Sequence, residues 1–402
     1  MRLDFRCLRC RTDRYLPVRM QDGGCGGQKG EKRMFSENNQ ISGRQLNRML
    51  VLDLFAASSM ILPRLLPRIC GRQGVYAILA AAVFMLAGAA VYMRTAFCCE
   101  DNFYNFAKRQ TGSVPAALMV LFFMVKFLLS AVFILKMFSE VIGRTFLTQM
   151  PERVIAALII LTALYNVSRG METRGRLSEL LMWIVLVPIM FIVFLAAFEI
   201  KGSRIFPMEI SRPGEIASAG LLCAAVFNVF EFLLFAVPYV RHECFKRTYK
   251  YAAGAVVTAA LCVIFIYIAC IGVFSANGAA AEYWPSVTLM QVIRLPGRFI
   301  SRQDGLVLAV WMGAIFILLS GYIFYTDELT KQLFPKKYFK GTMIGWLILV
   351  YGLFWAIKDY GAFEKFYWQT MAFWGMPISL LIAFWLLAGQ RYKRRLSDEK
   401  NS

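Results

Sequence analysis

The sequence is poor in charge and almost devoid of histidine. Charged residues make up 17% of its 402 positions, whereas hydrophobic residues make up 58%. A water-soluble chain of this length needs more polar surface, so this balance indicates a membrane protein with several spans. The single histidine, His242, argues against Ser-His-Asp triads and against metal sites built from several histidines.

The ten cysteines do not form the pattern of a metal site. Cys223, Cys262 and Cys270 lie within apolar runs, where a thiol behaves as a small hydrophobic group. Cys7 and Cys10 form one C-x-x-C pair, and the second pair that a zinc site of this kind needs does not follow it. We therefore expect neither a metal nor another cofactor.

The net charge of +20 does not indicate a nucleic-acid partner. Lys and Arg lie between the apolar runs and at the two ends of the chain, where they set the orientation of a membrane protein. We therefore expect a lipid bilayer, and no nucleic acid, as the surroundings of this chain. A hydrolytic enzyme needs a nucleophile next to a base, and the apolar runs contain no such pair, so we expect no enzymatic activity.

Long apolar runs dominate the chain and predict an all-α integral membrane protein. A transmembrane helix needs about 20 apolar residues. The sequence offers about ten such segments, near residues 45–66, 74–97, 115–138, 151–168, 177–199, 216–240, 251–275, 304–326, 341–358 and 367–389. The connection at 276–303 is longer than the others and predicts an amphipathic segment at the membrane surface.

The two ends of the chain differ from the apolar domain, which we place at 38–390. Residues 1–33 are rich in Arg and Gly and have no apolar core. They are either a leader upstream of a true start at Met34 or a disordered basic arm on anionic lipid. Residues 391–402 form a basic tail, and the positive charge at both ends predicts that both termini are cytoplasmic.

The first and sixth apolar segments are both interrupted. The first contains Ala56, Ala57, Ser58 and Ser59 ahead of Pro63 and Pro67. The sixth contains Phe227-Asn228-Val229-Phe230-Glu231 ahead of Pro238. Interruptions five segments apart are typical of inverted-repeat transporters, in which broken helices form a binding site at the membrane midplane. The alternative is that the small residues only allow close helix packing and that the prolines are ordinary.

Lys126 and Glu231 are the most central charges of the apolar segments. A charge at a helix centre costs about 2.5–3.5 kcal/mol on insertion scales, so each needs a partner or a wet cavity. The two side chains either form a direct pair or face the cavity separately. Asp53 and Lys136 lie nearer to the segment ends, where snorkelling or local capping explains them equally well.

Four stretches of the chain resemble one family, the spore germination permeases. They are ISGRQLNRMLVLDLFAASSMILP (41–63), SRGMETRGRLSELLMWIVLVPIM (168–190), IFPMEI (205–210) and YWPSVTLMQVIRLPGRFISRQDGLVLAVWMG (283–313). Their order and the number of spans are similar to those of the B-type subunits of Ger germinant receptors, within the amino acid–polyamine–organocation superfamily. The resemblance covers residues 38–390 and includes Trp311 in the eighth segment.

The resemblance implies a LeuT-like fold with a 5+5 inverted repeat and interrupted helices 1 and 6. The first repeat would span about 45–199 and the second about 216–389. The implied role is to sense a small nutrient, typically an amino acid, in the spore inner membrane. The implied partners are an A-type membrane subunit and a C-type lipoprotein. Many relatives carry glycine where this chain has Ala56 to Ser59, so the backbone freedom of glycine is missing here.

Two functions fit the same residues. In a germinant receptor, backbone amides near Ala57 and Ser59 would take a ligand carboxylate, while Asn228 and Glu231 would take an ammonium group. In a proton-coupled amino acid transporter, the pair of Lys126 and Glu231 would carry the proton. The candidate ligand-binding residues are Ala56, Ala57, Ser58, Ser59, Lys126, Phe227, Asn228, Phe230, Glu231 and Trp311.

Overall fold

A computed structural model describes residues 40–99, 102–206, 213–241, 245–293, 303–334 and 341–401. The basic leader at 1–33, most of the IFPMEI stretch, and His242 and Arg302 lie outside the described residues. Nearly all of the described chain is helical. The helices are α1 (Gly43–Cys70), α2 (Gly74–Cys98), α3 (Phe103–Thr111), α4 (Ser113–Thr145), α5 (Glu152–Ser168), α6 (Gly170–Ala196), α7 (Gly202–Ile205), α8 (Pro213–Val226), α9 (Phe232–Ala236), α10 (Phe245–Ala281), α11 (Pro285–Val292), α12 (Gln303–Leu333), α13 (Thr342–Ala356), α14 (Tyr360–Thr370) and α15 (Met376–Asn401).

Every predicted apolar segment overlaps one of these helices. By length and composition, six helical segments of the described chain could cross a membrane, and the bent pair Pro213–Val226 and Val229–Tyr239 would make a seventh. Among the six, α1 and α2 run as one segment of 56 residues through a 3-10 turn at Gly71–Gln73. The shorter apolar helix α13 has 15 residues. The chain is thus an all-α integral membrane protein, and the count of ten spans stays a prediction.

The start of α1 is fixed by its cap and by the sixth segment. Ser42 and Gln45 form a capping box, in which each side chain satisfies a backbone N–H of the other residue. The N–H of Ile41 donates to the carbonyl of Tyr239 at 2.9 Å, and the N–H of Arg241 donates to the carbonyl of Ile41 at 3.0 Å. The chain entering α1 is therefore tied to the chain leaving the sixth segment.

The predicted interruption of the first segment at Ala56 to Ser59 is not present, because α1 is one helix from Gly43 to Cys70. The Ser58 hydroxyl donates to the carbonyl of Leu54, and that of Ser59 to the carbonyl of Phe55, both at 2.5 Å. A hydroxyl that bonds the carbonyl one turn back is satisfied inside an intact helix, and alanine is the best helix former. The polar residues of α1 therefore do not require unwinding.

Proline instead loosens α1 at two carbonyls, those of Ser59 and Pro63, which lie four residues before Pro63 and Pro67. Pro63 has no N–H, so the carbonyl of Ser59, four residues earlier, loses its helical donor. The Ser286 hydroxyl, at the start of α11, donates to this carbonyl at 2.6 Å. Ser286 and most of its neighbours in α11 are buried. In its described part, the 276–303 connection therefore packs α11 against the bundle, and its position at the membrane surface stays a prediction.

The predicted interruption of the sixth segment is confirmed. Helix α8 ends at Val226, a 3-10 turn covers Asn228–Glu231, and α9 begins at Phe232. The two halves of the segment are bent by 45°. A second 3-10 turn, Val237–Tyr239, follows α9 and contains Pro238 near its start. Unlike α1, this segment is a broken span.

A buried ion pair joins α1 to α6 deep in the bundle. Arg174 donates from Nη2 to both carboxylate oxygens of Asp53, at 2.7 and 2.8 Å, and these side chains are 2% and 0% exposed. Arg174 also donates to the carbonyl of Ile317 and to the Tyr325 hydroxyl, both on α12. Asp53 is thus a core group and not a snorkelling or capping one. The pair connects three helices.

Gly321 makes room for this guanidinium. A Cβ atom at Gly321 would lie 2.3 Å from Nη2 of Arg174 and 3.1 Å from the Phe232 ring. The guanidinium of Arg174 and the ring of Phe232 belong to a packed core, so neither group can move without a loss of contacts. The absence of a side chain at Gly321 is therefore part of the pair's geometry.

Replacing Asp53 with Asn should strongly destabilise the protein. Arginine stays charged in proteins, and breaking a buried pair from one side costs about 3–5 kcal/mol. We expect the midpoint of thermal unfolding in detergent to fall sharply, and the double variant Asp53→Leu/Arg174→Met to lose less than Asp53→Asn. The control is Glu172→Gln, because the half-exposed Glu172–Arg176 pair contributes about 1 kcal/mol or less. Equal losses for Asp53→Asn and Glu172→Gln would show that the buried pair matters no more than the exposed one.

Gly321→Ala should lower the thermal midpoint by displacing Arg174. Overpacking of this kind costs about 1–3 kcal/mol. The matched control is Gly352→Ala on α13, where a Cβ atom would meet no atom within 4 Å. At that helical position we expect no loss, and a gain of up to about 1 kcal/mol from helix propensity. Gly321→Ala with an unchanged midpoint would show that the guanidinium position is adaptable.

Candidate functional site

A direct ion pair between Lys126 and Glu231 lies at the bend of the sixth segment. Nζ of Lys126 is 2.6 Å from Oε2 of Glu231, and the side chains are 4% and 2% exposed. Nζ also donates to the carbonyl of Gly375 at 3.1 Å and to the Ser379 hydroxyl at 3.5 Å. All three N–H groups of the ammonium thus have an acceptor. The pair satisfies its charges within the protein.

Irregular backbone on two helices brings these groups together. Glu231 is the last residue of the 3-10 turn that breaks the sixth segment. On the opposite side, a π-helix at Met371–Gly375 joins α14 to α15. A Cβ atom at Gly375 would lie 3.3 Å from Cε of Lys126 and 2.8 Å from the Met371 sulfur. The glycine therefore lets the lysine approach the backbone carbonyl that accepts its hydrogen bond.

Hydroxyl groups extend the polar cluster around the pair. Tyr92 on α2 and Ser379 on α15 share a hydrogen bond of 2.7 Å between their hydroxyls. Tyr367 donates to the Ser130 hydroxyl at 3.0 Å, and Ser130 donates to the carbonyl of Lys126 at 2.9 Å. The cluster links α2, α4, α14 and α15. It surrounds the ion pair with groups that can both donate and accept.

The pair lies in the wall of a small, narrow cavity. The space between its lining atoms is about 340 Å³, and the part wide enough for a water molecule holds about one. The lining is mostly apolar and aromatic, with Lys126 and Glu231 as the charged members among the described residues. The lining residues are Ala57, Lys126, Ser130, Phe133, Ile134, Ala225, Val226, Val229, Glu231, Tyr322, Tyr367, Trp368 and Met371.

Three of the sequence-predicted site residues therefore line this cavity, namely Ala57, Lys126 and Glu231. The other candidates on α1, including Ser58 and Ser59, are buried, and both hydroxyls bond to their own helix. Since α1 is continuous, its amides near Ala57 belong to the helix and are not exposed donors for a carboxylate. The predicted amide subsite is absent from this conformation.

The aromatic candidates do not belong to the described wall of the cavity. Phe230 packs edge-on against Tyr92, with ring centroids 5.4 Å apart. Trp311 stacks on Phe55 at 5.9 Å, and both rings are fully buried. Phe227 and Ala56 are fully buried as well. The backbone of Asn228 lies in the 3-10 turn, and its side chain lies outside the described part.

Sequence reasoning missed the contribution of the last span. Tyr367, Trp368 and Met371 line the cavity, and Ser379 bonds to Lys126. One feature of the sequence pointed here, since Gly375 and Pro377 lie close together inside an apolar run. Glycine and proline within a membrane helix often mark irregular backbone, as the π-helix shows. No comparable feature of the sequence indicated that Tyr322 on α12 would line the cavity.

A layer of aromatic rings separates this cavity from a wider one. Phe127 and Phe232 each contact Tyr322, which lines the first cavity, and Tyr325, which lines the second. The second cavity has about 830 Å³ of empty space. Its lining residues are Cys99, Asn102, Phe103, Leu234, Phe235, Pro238, Tyr239, Tyr325, Glu328 and Gln332.

The opposite end of the bundle is held by another ion pair. Arg64 on α1 lies 3.1 Å from Glu364 on α14. The guanidinium also stacks over the Tyr283 ring, at 4.3 Å from its centroid. This contact joins α1, α14 and the segment ahead of α11. The structure is therefore closed around the Lys126–Glu231 pair, with its larger cavity on the side where α1 begins.

Comparisons with solved structures show the fold. A Na⁺-coupled sialic acid symporter in a substrate-bound outward-open state matches with a TM-score of 0.58 and 15% identity, over 83% of this chain and 77% of that chain. Mhp1, a nucleobase-cation-symport-1 family transporter in a closed conformation, matches with a TM-score of 0.56 and 12% identity, over 89% and 95%. Both are transporters and not enzymes. The LeuT-like fold class is confirmed.

Comparisons with known sequences show the family. The spore germination protein YndE of Bacillus subtilis is 25% identical over 79% of this chain and 87% of its own length. The B. subtilis spore germination protein B2 is 22% identical over 63% of this chain and 69% of its own length. The family model described as spore germination protein, or spore permease, matches residues 40–359. With most of its length matched, the chain belongs to the spore germination permease family.

Proposed function

We propose that this chain is the ligand-binding subunit of a nutrient germinant receptor. The family and the fold establish a germinant receptor or a permease-like membrane protein. The observation that supports a ligand site is the Lys126–Glu231 pair, buried in a cavity at the break of the sixth segment. Burying both charges costs free energy that hydrophobic residues of the same size would not cost. The presence of a buried pair in spite of this cost supports a role of the two residues in binding.

The ligand is a small molecule, and an amino acid fits best. The cavity presents one positive group, one negative group and several hydroxyls within one small volume. These groups match a molecule that carries both charges on a compact frame. As described, the cavity holds about one water molecule, so binding requires the helices around it to separate. Ligand binding would shift the balance between the closed conformation and a more open one.

The partner subunits would read this conformational change. Relatives of the chain carry the names spore germination protein A2, B2 and GerLB, which are consistent with a family of receptor subunits. We propose an A-type membrane subunit and a C-type lipoprotein as partners, in the inner membrane of the spore, with both termini of this chain in the cytoplasm. Pull-down of this chain from spore membranes, followed by identification of the bound subunits, tests the assembly.

A proton-coupled amino acid transporter is the second candidate. The observation that favours it is the fold, since both structural neighbours are transporters and symport is named for each. The second cavity lies beyond the aromatic layer, and movement of these rings would connect it to the ion pair. In this function Glu231 and Lys126 would exchange a proton as the helices move.

Glu231→Gln should weaken the germination response by an order of magnitude or more. Glutamine keeps the shape of the side chain but removes the charge that faces Lys126 and the ligand. The measurement is dipicolinate release from spores of the native host as a function of nutrient concentration. Glu199→Gln is the control, because Glu199 is exposed in the 3-10 turn Ala197–Glu199 that follows α6. An unchanged dose response for Glu231→Gln would contradict the proposed site.

Uptake separates the two functions. A receptor should bind its nutrient without accumulating it, whereas a transporter accumulates substrate in vesicles and responds to a pH gradient. We expect vesicles that contain this chain alone to show no accumulation above empty vesicles. Uphill accumulation driven by a proton gradient, abolished in Glu231→Gln, would replace the receptor proposal with the transporter.

A further inference from the structure

We infer that the zwitterionic ligand of the proposed function binds by replacing the Lys126–Glu231 contact, and that its side chain is uncharged. Its carboxylate would bind Lys126, and its ammonium group would bind Glu231. The inference rests on the proposed function and assigns the chemistry of the same site. It differs from the sequence-based hypothesis, in which backbone amides of α1 take the carboxylate.

The backbone of α1 offers no carboxylate subsite near the described cavity. The amides of α1 around Ala57 lie inside a continuous helix. In the sixth segment the N–H of Phe227 donates to the carbonyl of Cys223 at 2.9 Å, and that of Phe230 donates to the carbonyl of Phe227 at 3.3 Å. The Ser58 and Ser59 hydroxyls are bound to their own helix. The cationic donor in the lining is therefore Lys126.

The ion pair occupies the position that a ligand needs. Nζ of Lys126 and Oε2 of Glu231 are in contact, and the remaining open space holds about one water molecule. A ligand cannot lie beside the intact pair. Separation of the two side chains both creates room and exposes one charge of each sign, because Lys126 is on α4 and Glu231 is on the broken sixth segment.

Charge balance then selects the ligand class. A zwitterion placed between the separated side chains leaves four charges in two opposite pairs. A monoamine or a monocarboxylate leaves one of the two protein charges buried without a counter-ion. Breaking a buried pair from one side is far more costly than exchanging its partners, which corresponds to about a hundredfold or more in affinity. An α-amino acid, with its charged groups on one carbon atom, fits this requirement.

The rest of the lining indicates the charge and polarity of the ligand side chain. The described lining carries no further charge beyond the pair, so a third charge on the ligand would be unpaired. Tyr367 and Trp368 present aromatic surface, and Phe133 stacks on Tyr367 with ring centroids 4.0 Å apart. Ala57 and Ala225 leave space on the facing helices. A small apolar or hydroxyl-bearing side chain suits these surroundings.

The experiment compares three charge forms of one compound on the purified protein in nanodiscs. Thermal stabilisation is first measured with the L-amino acids that have uncharged side chains. The amino acid that binds best is then compared with two derivatives, its amide, which lacks the carboxylate, and its desamino acid, which lacks the ammonium group. We expect both derivatives to bind about a hundredfold more weakly or worse. Comparable binding of either derivative, or no stabilisation by any uncharged amino acid, would overturn the inference.

Charge-matched variants test which residue meets which group. In Lys126→Met the amide, which keeps the ammonium group for Glu231, should bind at least as well as the amino acid. In Glu231→Gln the desamino acid, which keeps the carboxylate for Lys126, should bind at least as well as the amino acid. Each single variant leaves one buried charge without a partner, which could unfold the protein. The double variant Lys126→Met/Glu231→Gln leaves no unpaired charge and therefore keeps the test interpretable. In the double variant the preference for the zwitterion should fall by at least tenfold. A preference that survives in the double variant would place ligand recognition elsewhere.

The outcomes also separate this inference from the proposed function. If an uncharged nucleoside or a sugar stabilises the protein and triggers germination through this chain, the receptor proposal stands and the zwitterion inference fails. If spores that lack the gene respond normally to amino acids, nucleosides and sugars, and none of these compounds stabilises the purified protein, both fail.

Discussion

A charge buried in an apolar helical bundle must find a counter-charge, and this constraint governs the interior of the protein. Lys126 pairs with Glu231, and Asp53 pairs with Arg174, each with little or no exposure to solvent. Neither pair could be replaced from one side without leaving an uncompensated charge. Because the members of each pair lie on different helices, pairing also fixes how α1, α4, α6 and the sixth segment face each other.

The irregular backbone lies where these charges need it. The 3-10 turn at Asn228–Glu231 directs Glu231 toward α4, and the π-helix at Met371–Gly375 supplies a carbonyl to Lys126. Gly321 leaves space for the Arg174 guanidinium. By contrast, α1 passes through the same region as a regular helix, with its serines satisfied internally. Helix breaks in this protein follow buried charge and close approach more than they follow small polar residues.

The paired charges and the narrow cavity are consistent with the proposed sensing role. The Lys126–Glu231 pair is neutral as a unit, and each N–H group of the ammonium has an acceptor within the protein. Aromatic rings on one side and the Arg64–Glu364 contact on the other keep the cavity shut. In the proposed binding mode, a ligand that supplies both charges would open the pair without leaving either side chain unpaired. This property links the chemistry of recognition to a change in helix positions.

The sequence by itself determined the helical membrane class, the break near Asn228 and Glu231, and the presence of two central charges, Lys126 and Glu231, that need a partner or a wet cavity. These follow from local quantities, namely the apolar length of each segment and the cost of a charge within it. Only the tertiary structure decided that the two charges touch, that Asp53 meets Arg174, and that Tyr322, Tyr367 and Trp368 share one cavity. A periodic pattern shows which face of a helix is apolar, but it does not show which distant helix that face will meet.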